Sequence, residues 1–267
     1  DLRECHVLEP ALFALLAPLR VVLKRLAALA RDGAAVVNLL DSGPDLLLRT
    51  DRPLDPAGRR LLAAFAAQLG IPRIAWALQD GLHETAAQTG PVRLLLGDAE
   101  LAPPPGAFLQ ASRAGEAAIQ AAVLAGLPKL PPRARLLDLY AGLGTLSLPL
   151  AARGRVTAME GNAEAVAALA AAANKAGLRV EAVRRDLVRQ PVLPAELKPF
   201  AAVVLDPPYA GAAEQVAQLA RSAVRHLVYV SCNPVALARD AAVLREAGFT
   251  VTAATPVDQF RWSSHLE

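Results

Sequence analysis

Two cysteines occur in the 267 residues, and one of them, Cys232, stands in LVYVSCNPVALARD (227–240). An apolar run that reads as a buried strand precedes it, and the turn signal Asn233-Pro234 follows. A thiol in such a place is most often a small buried hydrophobe. It becomes a nucleophile only where neighbouring groups manage its proton and its later departure. Candidate neighbours end the other apolar runs of the same half of the chain. Asp206 closes FAAVVLD, and Pro207-Pro208 stiffens the loop beside its carboxylate. Glu160 closes RVTAME and Asp186 closes VEAVRRD, while Tyr140 closes RLLDLY just before a turn containing Gly142 and Gly144. Glycines there let the backbone approach a ligand, and the helix start that follows favours electron-rich groups. Glu160, about 20 residues beyond the turn, can accept both hydroxyls of a ribose. Asp186 can accept from an adenine amino group. The spacing suits a dinucleotide or S-adenosylmethionine equally, and capping carboxylates are the plain alternative.

These residues need a scaffold that lines them up, and the pattern of elements supplies one. From KLPPRAR onward, RLLDLY (135–140), RVTAME (155–160), VEAVRRD (180–186), FAAVVLD (200–206), LVYVS (227–231) and FTVTAATPV (249–257) alternate with helical stretches. Short apolar strands alternating with helices predict a parallel sheet covered on both faces. Ligands of such sheets bind at the carboxyl ends of the strands, which places Tyr140, Glu160, Asp186, Asp206 and Cys232 on one rim. The first part of the chain is different. Residues 9–31 carry helical apolar spacing, AAVVNLLD (34–41) and PDLLLRTD (44–51) read as a hairpin, and Asp55-Pro56 starts a helix to about Leu69. RIAWAL (73–78) and PVRLLLG (91–97) read as further strands. The expected fold class is therefore α/β, a Rossmann-like sheet domain over 112–267 preceded by a small α+β domain over 1–111.

LDPPYAG (205–211) resembles the acceptor-facing motif of class I S-adenosylmethionine-dependent methyltransferases. Two chemistries then compete. DPPY resembles the loop of amino-methyltransferases, in which Asp206 and Tyr209 would hold an exocyclic amine and no cysteine is required. Methylation of carbon 5 of a pyrimidine instead needs a thiolate to add at carbon 6 and a base to remove the carbon 5 proton. SCNPVALARD followed by VDQFRWSSHLE resembles the ends of the bacterial uracil-5 RNA methyltransferases, which form 5-methyluridine in ribosomal and transfer RNA. The resemblance runs from about Cys5 to the last residue and implies a class I methyltransferase fold. It also implies Cys232 as nucleophile and Glu267 as base, with Gln110, Tyr140, Gly142, Gly144, Glu160, Asp186 and Asp206 lining S-adenosylmethionine. The FLQ triad implies that Phe108 and Gln110, with Asp206, meet the extruded uracil. The implied partner is RNA, 23S rRNA first and transfer RNA second. A binding or assembly factor that keeps the fold without turnover is the alternative from another class.

ECHVLEP (4–10) resembles the segment where iron–sulfur members of that family carry their fourth cluster cysteine. Four thiolates usually hold a [4Fe–4S] cluster, so Cys5 counts as a single ligand, and a cluster is expected only if its partners precede the sequence. The family pattern is not followed everywhere. Tyr209 replaces a frequent Arg, Ser112 and Thr145 replace frequent Asn residues, and QFRWSSH departs from the usual wording. The family sheet normally ends with an antiparallel strand beyond Glu267, so the base is expected on a fraying terminus. His265 reads as a hydrogen-bonding residue. His6, His83 and His226 lack ligand spacing. Arg113, Arg133, Arg135, Arg239 and Arg261 are candidates for an RNA-facing patch.

Bulk properties agree with a monomeric cytoplasmic enzyme of this kind. The net charge of +3 is too small to argue for nucleic acid without a local patch. Two cysteines make no disulfide framework. Lys24, Arg25 and Arg31 interrupt the most apolar early stretch, leaving no membrane span of about 18 residues.

Overall fold

The computed structural model describes residues 3–259, 263 and 266–267. The chain divides into two compact units, Asp1–Leu95 with Glu100–Leu109, and Leu96–Ala99 with Gln110–Glu267.

The first unit opens with α1 (Pro10–Lys24), followed by the hairpin strands β1 (Gly33–Leu40) and β2 (Gly43–Thr50). Helix α2 (Pro56–Leu69) begins at Asp55, whose side chain accepts from the N–H of Gly58 at 2.6 Å, and ends at Gly70 in the left-handed region. It crosses from β2 to β3 (Arg73–Leu78), which lies parallel to β2, and β4 (His83–Gln88) closes the order β1-β2-β3-β4. Leu46, Leu48, Ile74 and Trp76 face one way and meet Leu62 and Phe65 of α2 and Leu15 and Leu19 of α1. Arg73 fastens β3 to β2 through a two-pronged pair with the buried Asp45, at 2.7 Å in each prong. Strand β4 has no counterpart in the sequence reading, because HETAAQ lacks an apolar alternation and owes its strand to pairing with β3. Strands β5 (Leu94–Leu96) and β6 (Ala99–Leu101) pair as a short ribbon.

The second unit begins with α3 (Arg113–Gly126), capped by the Ser112 hydroxyl, which accepts from the N–H of Gly115 at 3.0 Å. Then follow β7 (Arg135–Leu139), α4 (Ser147–Leu150), β8 (Arg155–Glu160), α5 (Ala163–Lys175), β9 (Val180–Arg184) and α6 (Pro194–Leu197). The chain continues through β10 (Ala202–Leu205), α7 (Ala213–Leu219), β11 (Leu227–Tyr229) and α8 (Pro234–Glu246). The sheet runs β11-β10-β7-β8-β9, and every pairing is parallel. Alternate residues serve two cores. Leu136, Val156, Ala202 and Val204 pack with Ile119 and Val123 of α3 on one face. Leu137, Leu139, Val203 and Leu205 pack with Leu197, Val216, Leu219 and Leu244 on the other. Two buried faces explain why these strands read as unbroken apolar runs. The strand order reverses direction between β7 and β10, so the ligand crevice of this architecture opens beyond their carboxyl ends.

One expected strand is absent. FTVTAATPV forms no strand, and its residues 251–256 are exposed. The period-two apolar pattern over 251–256 packs against no core, so burial gives it no reason to pair.

Candidate active site

The carboxyl rim is built from turns that follow the strands. Tyr140 leaves β7 in the left-handed region (φ 63°), as do Gly142 (φ 53°) and Gly144 (φ 90°). At Gly144 the need is steric as well, since a Cβ would stand 2.3 Å from Leu169 Cδ1. Glu160 Oε2 accepts from the N–H of Gly142 at 3.0 Å and Oε1 from that of Asn162 at 2.8 Å, so one carboxylate shapes two turns. Asp186 Oδ1 accepts from the N–H groups of Val188 and Arg189, both at 3.1 Å. Asp206 follows β10, its N–H donating to the carbonyl of Leu139 at 3.3 Å. Tyr140, Glu160, Asp186, Asp206 and Cys232 all stand at or just beyond the carboxyl ends of parallel strands.

Beneath them lies a carboxylate that the sequence reading passed over. Asp138, inside β7, is 0 % exposed and accepts from the Ser147 hydroxyl. Burial raises its pKa to about 7 against the lowering by Ser147, with Asp206 and Glu160 adding to the rise. A single Asp inside an otherwise apolar strand was the signal available. The Tyr140 hydroxyl, also buried, is pushed up to about 12, chiefly by burial.

Two loops carry the chemical half. Asn233 caps α8, its Oδ1 accepting from the N–H groups of Val235 (3.0 Å) and Ala236 (3.3 Å). Its Nδ2 reaches the other loop and donates to the carbonyl of Tyr209 at 2.9 Å. Behind both loops sits Asp240, 1 % exposed. Its Oδ2 accepts from the Tyr229 hydroxyl at 2.7 Å and the Ala212 N–H at 2.8 Å, and Oδ1 from Arg239 Nε at 2.9 Å. Arg239 also donates to the carbonyl of Ala210 at 3.0 Å. Gly211 fits only as glycine, because a Cβ would meet Arg239 Nη2 at 2.6 Å and Asp240 Oδ2 at 2.8 Å. Arg239 is thus a clamp on the DPPY loop. Tyr209 itself points outward, with 63 % of its surface exposed.

The last segment closes the site. Val257 and Glu267 exchange backbone hydrogen bonds at 2.9 and 3.1 Å. Glu267 is thus hydrogen-bonded through both its backbone and its side chain. Gln259, 7 % exposed, donates from Nε2 to Gln110 Oε1 (2.9 Å) and to Glu267 Oε1 (3.1 Å). It packs so tightly on the first turn of α3 that a Cβ on Gly115 would stand 2.6 Å from its own Cβ. Sequence reading missed Gln259, since a glutamine in a loop gives no local signal of burial. Burial and Glu267 act alike on Asp206 and Cys232. Burial and then Glu267 raise the Asp206 carboxyl to about 7. Burial, then Glu267, and more weakly Asp206, raise the Cys232 thiol, although it stands next to the N-cap of α8. Burial raises Glu267 against the hydrogen bond from Gln259.

Not every expected residue joins this cluster. Phe108 belongs to the first unit and is 81 % exposed. His265 and Arg261 lie outside the described residues. Arg133 and Arg135 lie at the opposite, amino end of β7. Cys5 Sγ accepts from the N–H of Leu8 at 3.3 Å, and among the described residues no group of three or more His, Cys, Asp or Glu could hold a metal. The described residues therefore do not fit an iron–sulfur cluster. No helix of the described residues is long and apolar enough to cross a membrane.

The rim does fit S-adenosylmethionine. The Tyr140 hydroxyl, Gln259 Oε1 and Glu267 Oε2 are buried without hydrogen-bond partners among the described residues, so the pocket presents polar atoms to a ligand. The space where a Gly142 Cβ would stand has no atom within 4 Å.

Comparison with known proteins places these features in a wider group. Residues 109–235 match the family model described as conserved hypothetical protein 95. An uncharacterized RNA methyltransferase of Rhizobium meliloti is 41% identical over 266 residues, covering 99% of this chain and 62% of the relative. The 23S rRNA (uracil(1939)-C(5))-methyltransferase RlmD of Pectobacterium carotovorum is 36% identical over 274 residues, covering 100% of this chain and 60% of its own length. The chain thus spans about three fifths of the curated relatives it matches. The crystal structure of Pyrococcus abyssi tRNA (uracil-54, C5)-methyltransferase in complex with S-adenosyl-L-homocysteine superposes with a TM-score of 0.65 at 20% identity. That match covers 86% of this chain and 57% of the other, and it shows the fold.

Proposed function

Because the chain belongs to the RNA methyltransferase family of these relatives, we propose that it methylates carbon 5 of a uridine in RNA, 23S rRNA in preference to transfer RNA. What supports this reading is that Asp206 and Cys232 follow the carboxyl ends of the adjacent parallel strands β10 and β11, and that burial and Glu267 raise both groups. Amine methylation through the DPPY loop would need Tyr209 at the acceptor, and its outward exposure speaks for the thiolate route instead.

Tyr140, Gly142, Gly144, Glu160, Asp186, Asp206 and Gln110 would hold S-adenosylmethionine. When bound, it supplies an electrophilic methyl group for carbon 5. The chain's own residues do the rest. The target uridine must leave its stack, because carbons 5 and 6 are closed to a thiolate inside one, and Gln110 is assigned to the extruded base. Once the Cys232 thiol has lost its proton to solvent water, Sγ bonds to carbon 6, and the electrons of the 5,6 double bond move to carbon 5 and the adjacent carbonyl. Asp206, held near neutrality around pH 7, can donate a hydrogen bond to a carbonyl oxygen of the ring. After methylation, Glu267 takes the carbon 5 proton, the double bond reforms, and the bond to Sγ breaks. Gln259 keeps the Glu267 carboxylate aimed at this step.

The test is a 23S rRNA transcript carrying 5-fluorouridine, incubated with protein and S-adenosylmethionine. Fluorine cannot leave as a proton, so a protein–RNA adduct resistant to denaturant is expected, absent in Cys232→Ala. Full methylation of ordinary RNA by Cys232→Ala would overturn the reading.

A further inference from the structure

Four arginines of the second unit, Arg133, Arg135, Arg155 and Arg179, line one pocket of about 440 Å³. The strand register explains why they gather. Arg135 opens β7, Arg155 opens β8, and the two are direct partners across the parallel ladder. Arg179 precedes β9, its carbonyl accepting from the N–H of Val156 at 2.9 Å. Arg133 stands two residues before β7 in a left-handed turn (φ 63°). All four lie at amino ends of strands, on the edge of the sheet opposite Glu160, Asp206 and Cys232.

All four side chains are exposed, and among the described residues none is paired with a carboxylate. Arg135 instead places its guanidinium over the Phe200 ring, 5.0 Å from the centroid. Like charges directly opposite on strands about 4.8 Å apart repel. A chain with a net charge of only +3 has no general excess of cations that would bring four together by number alone. Guanidinium forks match phosphate oxygens two at a time. The carboxyl rim has the opposite character, with the carboxylates Glu160 and Asp186 on its turns.

We propose that the pocket of Arg133, Arg135, Arg155 and Arg179 anchors the phosphodiester backbone of the RNA substrate, on the sheet edge away from the chemistry. The five-residue strand β7 spans only about 17 Å, so one RNA chain can reach both ends of the sheet. The proposal rests on the RNA methyltransferase reading, and it deepens that reading by separating where the RNA is held from where its base reacts.

The test measures binding of a 23S rRNA transcript, and separately of inorganic tripolyphosphate, to the full chain and to the double variant Arg155→Ala/Arg179→Ala. The melting temperature and S-adenosylhomocysteine binding report that the variant is folded. RNA affinity is expected to fall roughly tenfold, and the slope of log affinity against log salt to drop by about 1.4 to 1.8, the loss of two phosphate contacts. Unchanged RNA affinity and slope would overturn the anchor, as would loss of tripolyphosphate binding alone. Should the double variant unfold, Arg179→Gln, which lies outside the strands, is expected to give about half the change in slope. Absence of the 5-fluorouridine adduct in the parent protein would count against the uracil chemistry and leave the affinity comparison intact. A formed adduct with unchanged affinity in the double variant would overturn the anchor only.

Discussion

The Asn233 side chain donates to the carbonyl of Tyr209 at 2.9 Å, so the loop bearing Cys232 is fastened to the loop that follows Asp206. The same side chain caps α8 through its other atom. Asn233→Asp keeps the cap and loses the donor, while Asn233→Ala loses both. Asn233→Ala is expected to cost about 1 kcal/mol of stability, read by urea unfolding. Both variants are expected to slow formation of the 5-fluorouridine adduct by roughly tenfold. Adduct formation at the parent rate in Asn233→Asp would show that the fastening is irrelevant to the thiol.

Asp240 holds three elements at once: the Tyr229 hydroxyl, the Ala212 N–H and Arg239. Asp240→Ala strands these partners in a buried site and is expected to cost about 3 kcal/mol. Tyr229→Phe removes one hydrogen bond and is expected to cost about 1 kcal/mol. Thermal melts check the order of the two. An Asp240→Ala melt equal to the parent's would contradict the role given to this residue.

Gln259 is a positioning residue for Glu267. Gln259→Leu keeps the volume and removes the donor to both Gln110 and Glu267. Turnover is expected to fall roughly tenfold to a hundredfold, by more than any weakening of S-adenosylhomocysteine binding. Removing the hydrogen bond that lowers Glu267 also moves its pKa further up, so the acid limb of the pH–rate profile shifts to higher pH. A lowered rate with an unmoved profile would point to packing alone.

The two turn glycines separate space from backbone. At Gly144 a Cβ would strike Leu169, and φ is 90°, so Gly144→Ala is expected to cost about 2 to 4 kcal/mol and to weaken S-adenosylhomocysteine binding. At Gly142 there is open space, and Gly142→Ala meets only the left-handed backbone at φ 53°, for about 1 kcal/mol. Denaturation curves of the pair, read with calorimetric binding, test the contrast.

Stability should fall as pH rises from about 4 to about 7. Below the ordinary value of 3.8, Asp138 and Asp206 are protonated in both folded and unfolded chains. Between 3.8 and about 7 the folded chain keeps protons that the unfolded chain has lost, so each pH step favours unfolding. Above about 7 the fold bears the whole cost. Asp138→Asn is expected to flatten this slope and gain about 1 to 3 kcal/mol at pH 8 relative to pH 4. Urea midpoints across that range give the answer, and a slope identical to the parent's would rule Asp138 out as its source.

Short-range patterns account for what was legible in the sequence. The strands RIAWAL and RVTAME and the helix over 113–126 were readable to the residue, because period, caps and boundary prolines are local. The rim of Tyr140, Glu160, Asp186 and Asp206 was readable too, since a parallel sheet puts all strand ends on one side. Other features depend on residues far apart in the chain. HETAAQ becomes β4 only because β3 offers it an edge, whereas FTVTAATPV has a strand-like pattern and finds none. Gln259 is separated by 149 positions from the Gln110 it binds, so nothing nearby marked it. The four arginines are spread over 133–179 and meet only through strand register. Sequence alone determined which side chains end the strands and, through the parallel pattern, that these ends share one side of the sheet. The tertiary structure decided which of them are buried under the influence of Glu267, which arginine clamps a loop, and which four line one pocket. Charge and hydrogen bonding act through distance in space, and only the folded chain sets those distances.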